Sequence, residues 1–277
     1  MNRRPAVAGA FYTDDPDDLR TEVDQLLGRH PRQPALATLA PHAGYSYSGP
    51  VAGAVYGRVA MPRDVVLVSF SHRGTGAPFA VWPDGEWETP LGHVPVAQDL
   101  CAEILKLPGF EVDTNAFARE HSGEVQVPFL QRARSDVRIA PISVQSHNPT
   151  AIRDAAAALA RLLAGRDILL AATTDLTHCG ADYGQMPPAG MTAGAFARQQ
   201  DTRVLETIKA LDVDGFWDVV RRHTMTMCGV APTALLMEYS RARGARAATV
   251  VMYATSADRE PDADRAVGYP GALVKQD

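Results

Sequence analysis

The chain has 277 residues, 46% hydrophobic and 21% charged, the balance of a globular protein that buries a large core in one or two domains or a single large α/β domain. A net charge of -5 leaves no electrostatic footprint for nucleic acid or for an anionic membrane surface, and no stretch reaches the about 18 uninterrupted apolar residues of a spanning helix. The N-terminal MNRRPAVAGAFYTDDPDD is basic but has no apolar run of signal-peptide length, and Cys101, Cys179 and Cys228 are too few for a disulfide framework, so a cytoplasmic location is expected.

In chain order, DPDDLRTEVDQLLGR sets Leu19, Val23, Leu26 and Leu27 on one helical face behind an acidic first turn. ALATL has strand length and VAGAVYGRVA reads as a buried helix, with APHAGYSYSGP, Ala40 to Pro50, between them. Gly49 and Ser48 supply a turn and a cap at that junction, and Pro50 suits the first helical position; His42 is then left without a role. VVLVSF, Val65 to Phe70, is a β-branched run suited to a strand buried on both sides. The Pro-Asp-Gly turn of FAVWPDGEWETPLGHVPV predicts an antiparallel excursion. VRIAPISV follows as a strand, AIRDAAAALARLLAG as a helix stopped by Gly165, DILLAAT as a strand and ATVVMYAT as the last strand. Strands separated by helices predict a single α/β domain over residues 1–277, its largely parallel or mixed central sheet flanked by helices on both faces. The Pro-rich MPPAGM, Met186 to Met191, reads as a surface loop.

The residues just past those strands share a chemistry. His42 follows ALATL, Ser71 and His72 follow VVLVSF, Ser146 and His147 follow VRIAPISV, Thr174, Asp175 and His178 follow DILLAAT, and Ser256 and Asp258 follow ATVVMYAT. Ligands of open α/β sheets bind outside the carboxyl ends of the strands. Any one such residue is more simply a cap or loop residue; their recurrence predicts a pocket. Cys228, in TMTMCGVAPTALLMEYSR, stands before a helix whose N-terminal dipole and N–H groups are expected to lower its pKa, suiting a ligand or a nucleophile. Cys101, in AQDLCAEILKL, reads as a core residue, while Cys179 beside His178 stays open between the two roles. In EHSGEVQVPFL, Glu120, His121 and Glu124 form a further polar cluster, with a cap for Glu120 and a pocket position for His121 both open.

The ordered motifs RPAVAGAFYTDDPDDL, PHAGYSYSGPVAGAVY, the Ser-His at Ser71, TPLGHVPV, EHSGEVQVPFL, DLTHCG, MCG, and YATSAD to VGYPGALV, from Arg4 to about Val274, resemble the MEMO family. That family includes the AmmeMemoRadiSam system protein B and is similar in fold to class III extradiol dioxygenases. The resemblance implies a metal pocket at the strand ends, with His42, His72 and Cys228 as metal ligands and Asp175 and His178 lining the same pocket. It also suggests an AMMECR1-type protein and a radical SAM enzyme as partners. Imidazole and thiolate donors suit Fe(II), Cu or Zn rather than Mg or Ca. Asp175, His178 and His121 are then candidates to act on a bound molecule as proton-transfer or orienting groups. Three function classes follow: an iron or copper oxidoreductase of dioxygenase-like type, a cysteine or zinc hydrolase using Cys228 with His178 as base, and a non-catalytic module that binds a metal, a small molecule or a peptide.

Overall fold

In a computed structural model that describes residues 1–261 and 263–275, the alternation of strand and helix resolves into a nine-stranded mixed sheet. The first half of the chain comprises β1 (Asn2–Arg3), α1 (Pro16–Leu27), β2 (Ala35–Ala40), α2 (Tyr45–Tyr56), β3 (Asp64–Ser69), β4 (Phe79–Val81), β5 (Glu86–Thr89), β6 (Gly92–Pro95), α3 (Gln98–Ile104) and β7 (Phe110–Val112). The second half comprises α4 (Val127–Ala133), β8 (Arg138–Val144), α5 (Pro149–Leu162), β9 (Ile168–Thr173), β10 (His178–Cys179), α6 (Ala193–Ala210), α7 (Val213–Arg222), α8 (Val230–Ala242), β11 (Thr249–Thr255) and β12 (Ala266–Lys275).

The strand order is β10-β12-β2-β9-β3-β8-β4-β7, with β11 also paired to β12. Strands β2, β9, β3 and β8 run parallel, and β12 and β4 flank them antiparallel. After its first residue each of the four parallel strands is buried at every position, as expected when helices cover both faces of a sheet. The result is one α/β domain with a mixed central sheet, and the carboxyl ends of the parallel strands share one edge. Among the described residues no helix is long and apolar enough to cross a membrane.

Three local expectations are corrected. Helix α2 begins at Tyr45, so Ser48, Gly49 and Pro50 lie inside it and Gly44 is its N-cap. The early start is set by tertiary contact: the Tyr45 backbone N–H donates to the Phe11 carbonyl at 2.7 Å, and the Ser48 hydroxyl donates to the Ala43 carbonyl at 2.7 Å. The glycines serve packing instead, because a Cβ at Gly49 would come 2.9 Å from Leu26 Cδ1 and one at Gly53 would come 2.3 Å from the Leu26 carbonyl oxygen of α1. Second, the antiparallel excursion forms as β5 and β6 in a separate three-stranded sheet ordered β1-β5-β6, but its pair turns between Thr89 and Gly92, and Pro83-Asp84-Gly85 only leads into it from β4. Third, β11 is not the last strand. Strand β12 follows and lies between β11 and β2, its strand pattern disguised by Gly268, Pro270 and Gly271. MPPAGM is an irregular connection before α6.

Gly268 makes room for a buried carboxylate, since a Cβ there would come 1.8 Å from Asp201 Oδ2. Asp201, on α6, accepts from the Thr177 backbone N–H at 3.0 Å and from the Tyr253 hydroxyl at 2.7 Å. It thereby ties α6 and β11 to the loop after β9. Burial raises its pKa to about 6 against those hydrogen bonds.

Two outcomes follow. Gly53→Ala forces backbone apart between α1 and α2 and is expected to lower stability by about 1–3 kcal/mol in urea unfolding; a neutral result would mean the two helices separate freely. A carboxyl group with a folded pKa above its unfolded value of 3.8 binds its proton more tightly when folded, so its stabilisation is present below about pH 4 and lost as pH rises through about 6. Asp201→Asn keeps an acceptor for Thr177 and removes the charge; it should flatten that decline and be more stable at pH 7 by on the order of 1–3 kcal/mol. An unchanged pH slope would refute this.

Candidate metal centre

His42 stands two residues past β2, beside the end of β9 with which β2 pairs at Ala40 and Thr173. Its Nδ1 is 2.7 Å from Thr173 Oγ1, a hydroxyl that also accepts from Gln126 Nε2 at 3.1 Å. Its backbone N–H donates to Asp175 Oδ1 at 2.8 Å. The ring is thus held at Nδ1, and Nε2 faces Cys228 Sγ at 3.1 Å. Burial, and then the neighbouring imidazoles of His72, His121 and His178, push its pKa well below the usual value, so it is neutral and able to donate a lone pair.

His72 follows β3, and its Nδ1 lies 2.9 Å from Glu120 Oε1. Glu120 is buried, 4% exposed, yet it also accepts from the backbone N–H groups of His72 at 2.7 Å, Ser122 at 2.7 Å and His121 at 2.9 Å. Burial alone would raise this carboxyl; the His72 hydrogen bond and charge and the Ser122 N–H hold it instead at about 2. An ionised carboxylate only accepts, so His72 Nδ1 carries the proton and Nε2 is the free donor atom. This is the carboxylate–histidine arrangement that orients metal-ligating imidazoles.

His121 follows Glu120 directly, and its ring stacks on that of His72 with centroids 4.4 Å apart and planes 16° apart. Burial, then the neighbouring His72 imidazole, lowers its pKa to about 4. One ligand nitrogen from each of His42, His72 and His121 lies within 4.8 Å of the others. Imidazole nitrogens in such a cluster fit a borderline transition metal such as iron, copper or zinc, so a metal can be held here by residues already oriented for it.

Asp175 lies in the loop after β9 and His178 opens β10. Burial raises the Asp175 pKa to about 7, opposed by the His42 N–H. His178 Nδ1 lies 2.9 Å from the Leu176 carbonyl and 3.1 Å from the Thr226 carbonyl. Carbonyls only accept, so Nδ1 bears the proton and Nε2 is a free base; burial lowers its pKa against those two bonds. Both residues line one cavity of about 330 Å³ with His42, His72 and His121.

Cys228 sits on the other side. It lines an adjoining cavity of about 270 Å³ with His72, Gln145 and His147, and among the described residues no hydrogen bond joins it to His178. The expected low thiol pKa is overturned: burial, and then the charge of Asp175, push it well above the usual value, and the backbone N–H groups of Asp175 and Gly229 oppose this without reversing it. Cys101 is buried in α3, its thiol pushed by burial up to about 12. Cys179 packs with Ala193, Ala197 and Ala266 as a core residue. His30, His93 and His223 line neither cavity.

What the sequence left unread are the groups that hold these side chains, chiefly Thr173, Gln126 and the multiple acceptor role of Glu120, and the further cavity-lining residues Tyr47, Tyr183, Glu260, Arg265 and Tyr269. The position of Thr173 as the last residue of a buried strand beside β2 was the available signal for it.

The family described as Memo-like protein matches residues 3–273 of the chain. A MEMO1 family protein of Aquifex aeolicus is 35% identical over 274 residues, covering 98% of each chain, and one of Methanothermobacter thermautotrophicus is 36% identical over 285 residues, covering 97% of this chain and 99% of its own. Among solved structures, an uncharacterized protein of Escherichia coli K12 superposes with a TM-score of 0.56 over 86% of this chain and 98% of that one, at 13% identity, a likeness of fold.

Glu120→Gln leaves the size of the side chain and removes the charge that orients His72 and His121. Zn(II) affinity measured by calorimetry should fall about 10- to 100-fold, with loss of the hydrogen-bonded His72 Nδ1–H proton signal in the NMR spectrum. Affinity equal to that of the parent protein would show that Glu120 has no hold on the cluster.

Proposed function

We propose, from the premise that this chain belongs to the Memo-like protein family, that it is a metal-binding oxidoreductase of dioxygenase-like type. His42, His72 and His121 hold an iron or copper ion, and the 330 Å³ cavity takes a small molecule. The observation that carries this is the convergence of three imidazoles within 4.8 Å, two of them fixed at Nδ1 by Thr173 and Glu120. When bound, such an ion supplies one-electron chemistry and open positions for small ligands.

The chain's own groups supply the rest. Asp175, buried against the His42 backbone N–H with its pKa near neutrality at about 7, is suited to take or return a proton. His178 presents Nε2 as an acceptor because its Nδ1 proton is committed to two carbonyls. Phe11 packs against His121 with ring centroids 4.7 Å apart and lines the same cavity. A second reading makes Cys228 the third ligand in place of His121, and the 3.1 Å separation of Cys228 Sγ from His42 Nε2 favours it. The hydrolase reading lacks its expected base, since the hydrogen-bonding partner of the thiol is His42 and not His178.

Elemental analysis of protein purified anaerobically tests the assignment. His42→Ala and His72→Ala should each hold almost no metal; His121→Ala and Cys228→Ala separate the two ligand sets, since only the true third ligand reduces metal to the same extent. Asp175→Asn and His178→Ala should retain most of the metal and lose small-molecule binding or turnover by about 10- to 100-fold. Parent protein that takes up none of Fe(II), Cu or Zn on reconstitution would end the metal reading, and a tightly held metal without turnover on any small molecule would leave a binding module.

A further inference from the structure

The edges of the two sheets are not alike. A strand with one free side presents unpaired N–H and carbonyl groups, and short length, charge or proline keeps other chains from pairing there. Strands β1 and β10 have two residues each, β7 has three and carries Glu111, and β6 carries His93 and Pro95. Strand β11 has none of these protections. It pairs on one side only, with β12, and its seven residues, TVVMYAT, include no charge and no proline. Thr249 and Met252 are exposed, and Val250, Val251, Tyr253 and Ala254 are half-buried. Among the described residues of β11, Thr255 alone makes a backbone hydrogen bond outside that ladder, from its N–H to Asp258 Oδ2 at 2.8 Å. The one irregularity is a shift of register between Val250 and Met252.

The chain on either side of β11 is of opposite charge. RARGARAA, Arg241 to Ala248, has three arginines and no acid, whereas ADREPDADR, Ala257 to Arg265, has four acids and two arginines. Arg243 is engaged inward, donating from Nη1 to the Leu163 carbonyl at 3.2 Å and to the Tyr239 hydroxyl at 2.9 Å. Arg241 and Arg246 are exposed and line a hollow with Asp212, whose carboxylate accepts from the Gly215 N–H at 3.0 Å. At the other end Asp258 and Asp264 are exposed; Asp258 pairs with Arg198, both side chains 45% exposed, a contact that contributes little. Such an edge is complementary to a second copy of itself turned about a two-fold axis. Antiparallel pairing sets the basic end of each strand against the acidic end of the other, and parallel pairing sets like charges together. Arg246 and Asp258 stand equally far from Met252 along the chain, so a pairing centred on Met252 brings them opposite each other.

We propose that β11 is a dimerisation edge: a second copy of this chain adds its own β11 antiparallel, centred on Met252, and the two nine-stranded sheets join into one. The contact is isologous, so it closes on itself and leaves β11 no free side for a third copy. Seven residues from each chain make a small interface, and the dimer therefore forms in a concentration-dependent way. Strand β11 leads into Ser256, Glu260 and Arg265, which line the histidine cavity, so the second copy is seated next to the segment that borders the site.

Sedimentation velocity on the full chain, from low micromolar to several hundred micromolar, tests this. The parent protein should pass from monomer to dimer and no further. Met252→Lys, which puts two like charges at the centre of the pairing, should weaken the dimer about tenfold or more. Arg246→Glu should weaken it about two- to tenfold at low salt, by a factor that shrinks as ionic strength rises. Both side chains are exposed, and an unchanged thermal unfolding curve of the diluted monomers would show the fold intact. Met252→Cys should form a disulfide-linked dimer under mild oxidation faster than Val112→Cys on β7, with the parent protein as the blank for the native cysteines. Dimers indifferent to Met252→Lys, equal cross-linking at positions 252 and 112, or tighter association of Arg246→Glu would each overturn the proposal. So would a chain that stays monomeric throughout, even where an added extended peptide protects β11 from hydrogen exchange, since the edge would then serve another protein.

Discussion

A carboxylate buried among hydrogen-bond donors is the constraint around which this site is arranged. Glu120 accepts from the backbone N–H groups of His72, His121 and Ser122 and from the ring of His72. A buried charge is tolerated only when it is fully partnered, so the loop after β3 and the loop before α4 must meet at this one side chain. The loop is secured from behind. Arg3 donates to the Phe117 and Glu120 carbonyls, pairs with the buried Glu124 at 2.8 Å and lies 4.4 Å from the Trp87 ring centroid. Glu124 in turn accepts from the Ala6 and Val7 N–H groups and from the Tyr12 hydroxyl. The N-terminal segment is therefore part of the site's support, and through Phe11 it is part of the wall.

The parallel strands do the remaining positioning. Because β2 and β3 both pair with β9, the residues just beyond each strand emerge side by side, and His42, His72 and Asp175 fall within reach of one another. A one-residue change in length between a strand and its histidine would move the imidazole away from Thr173 or Glu120. Gly229, where a Cβ would come 2.6 Å from the Thr173 carbonyl, lets the start of α8 approach the same edge and brings Cys228 to His42.

His72 divides the space at this edge. Asp175 and His178 lie in the cavity that Arg265 also lines, and Cys228 lies in the cavity shared with Gln145 and His147. Desolvation and the nearby Asp175 raise the pKa of the half-buried Cys228 thiol, and a bound metal lowers the pKa of a thiol it ligates.

The sequence by itself determined the fold class, because long β-branched runs such as VVLVSF and VRIAPISV, alternating with helical stretches, carry their period and length locally. It also placed His42, His72, Asp175 and His178 at strand ends, since position relative to a strand is a local property. It did not reveal β12, whose Gly268, Pro270 and Gly271 belong to close approaches with Asp201, Tyr253 and α2, nor the true start of α2, set by a bond from Tyr45 to distant Phe11. Only the tertiary structure decided that His121 joins His42 and His72, that Cys228 faces a second cavity, and that its thiol is held neutral. Those outcomes depend on burial and on charges brought together from residues tens to hundreds of positions apart, and neither quantity is written in the local pattern of a chain.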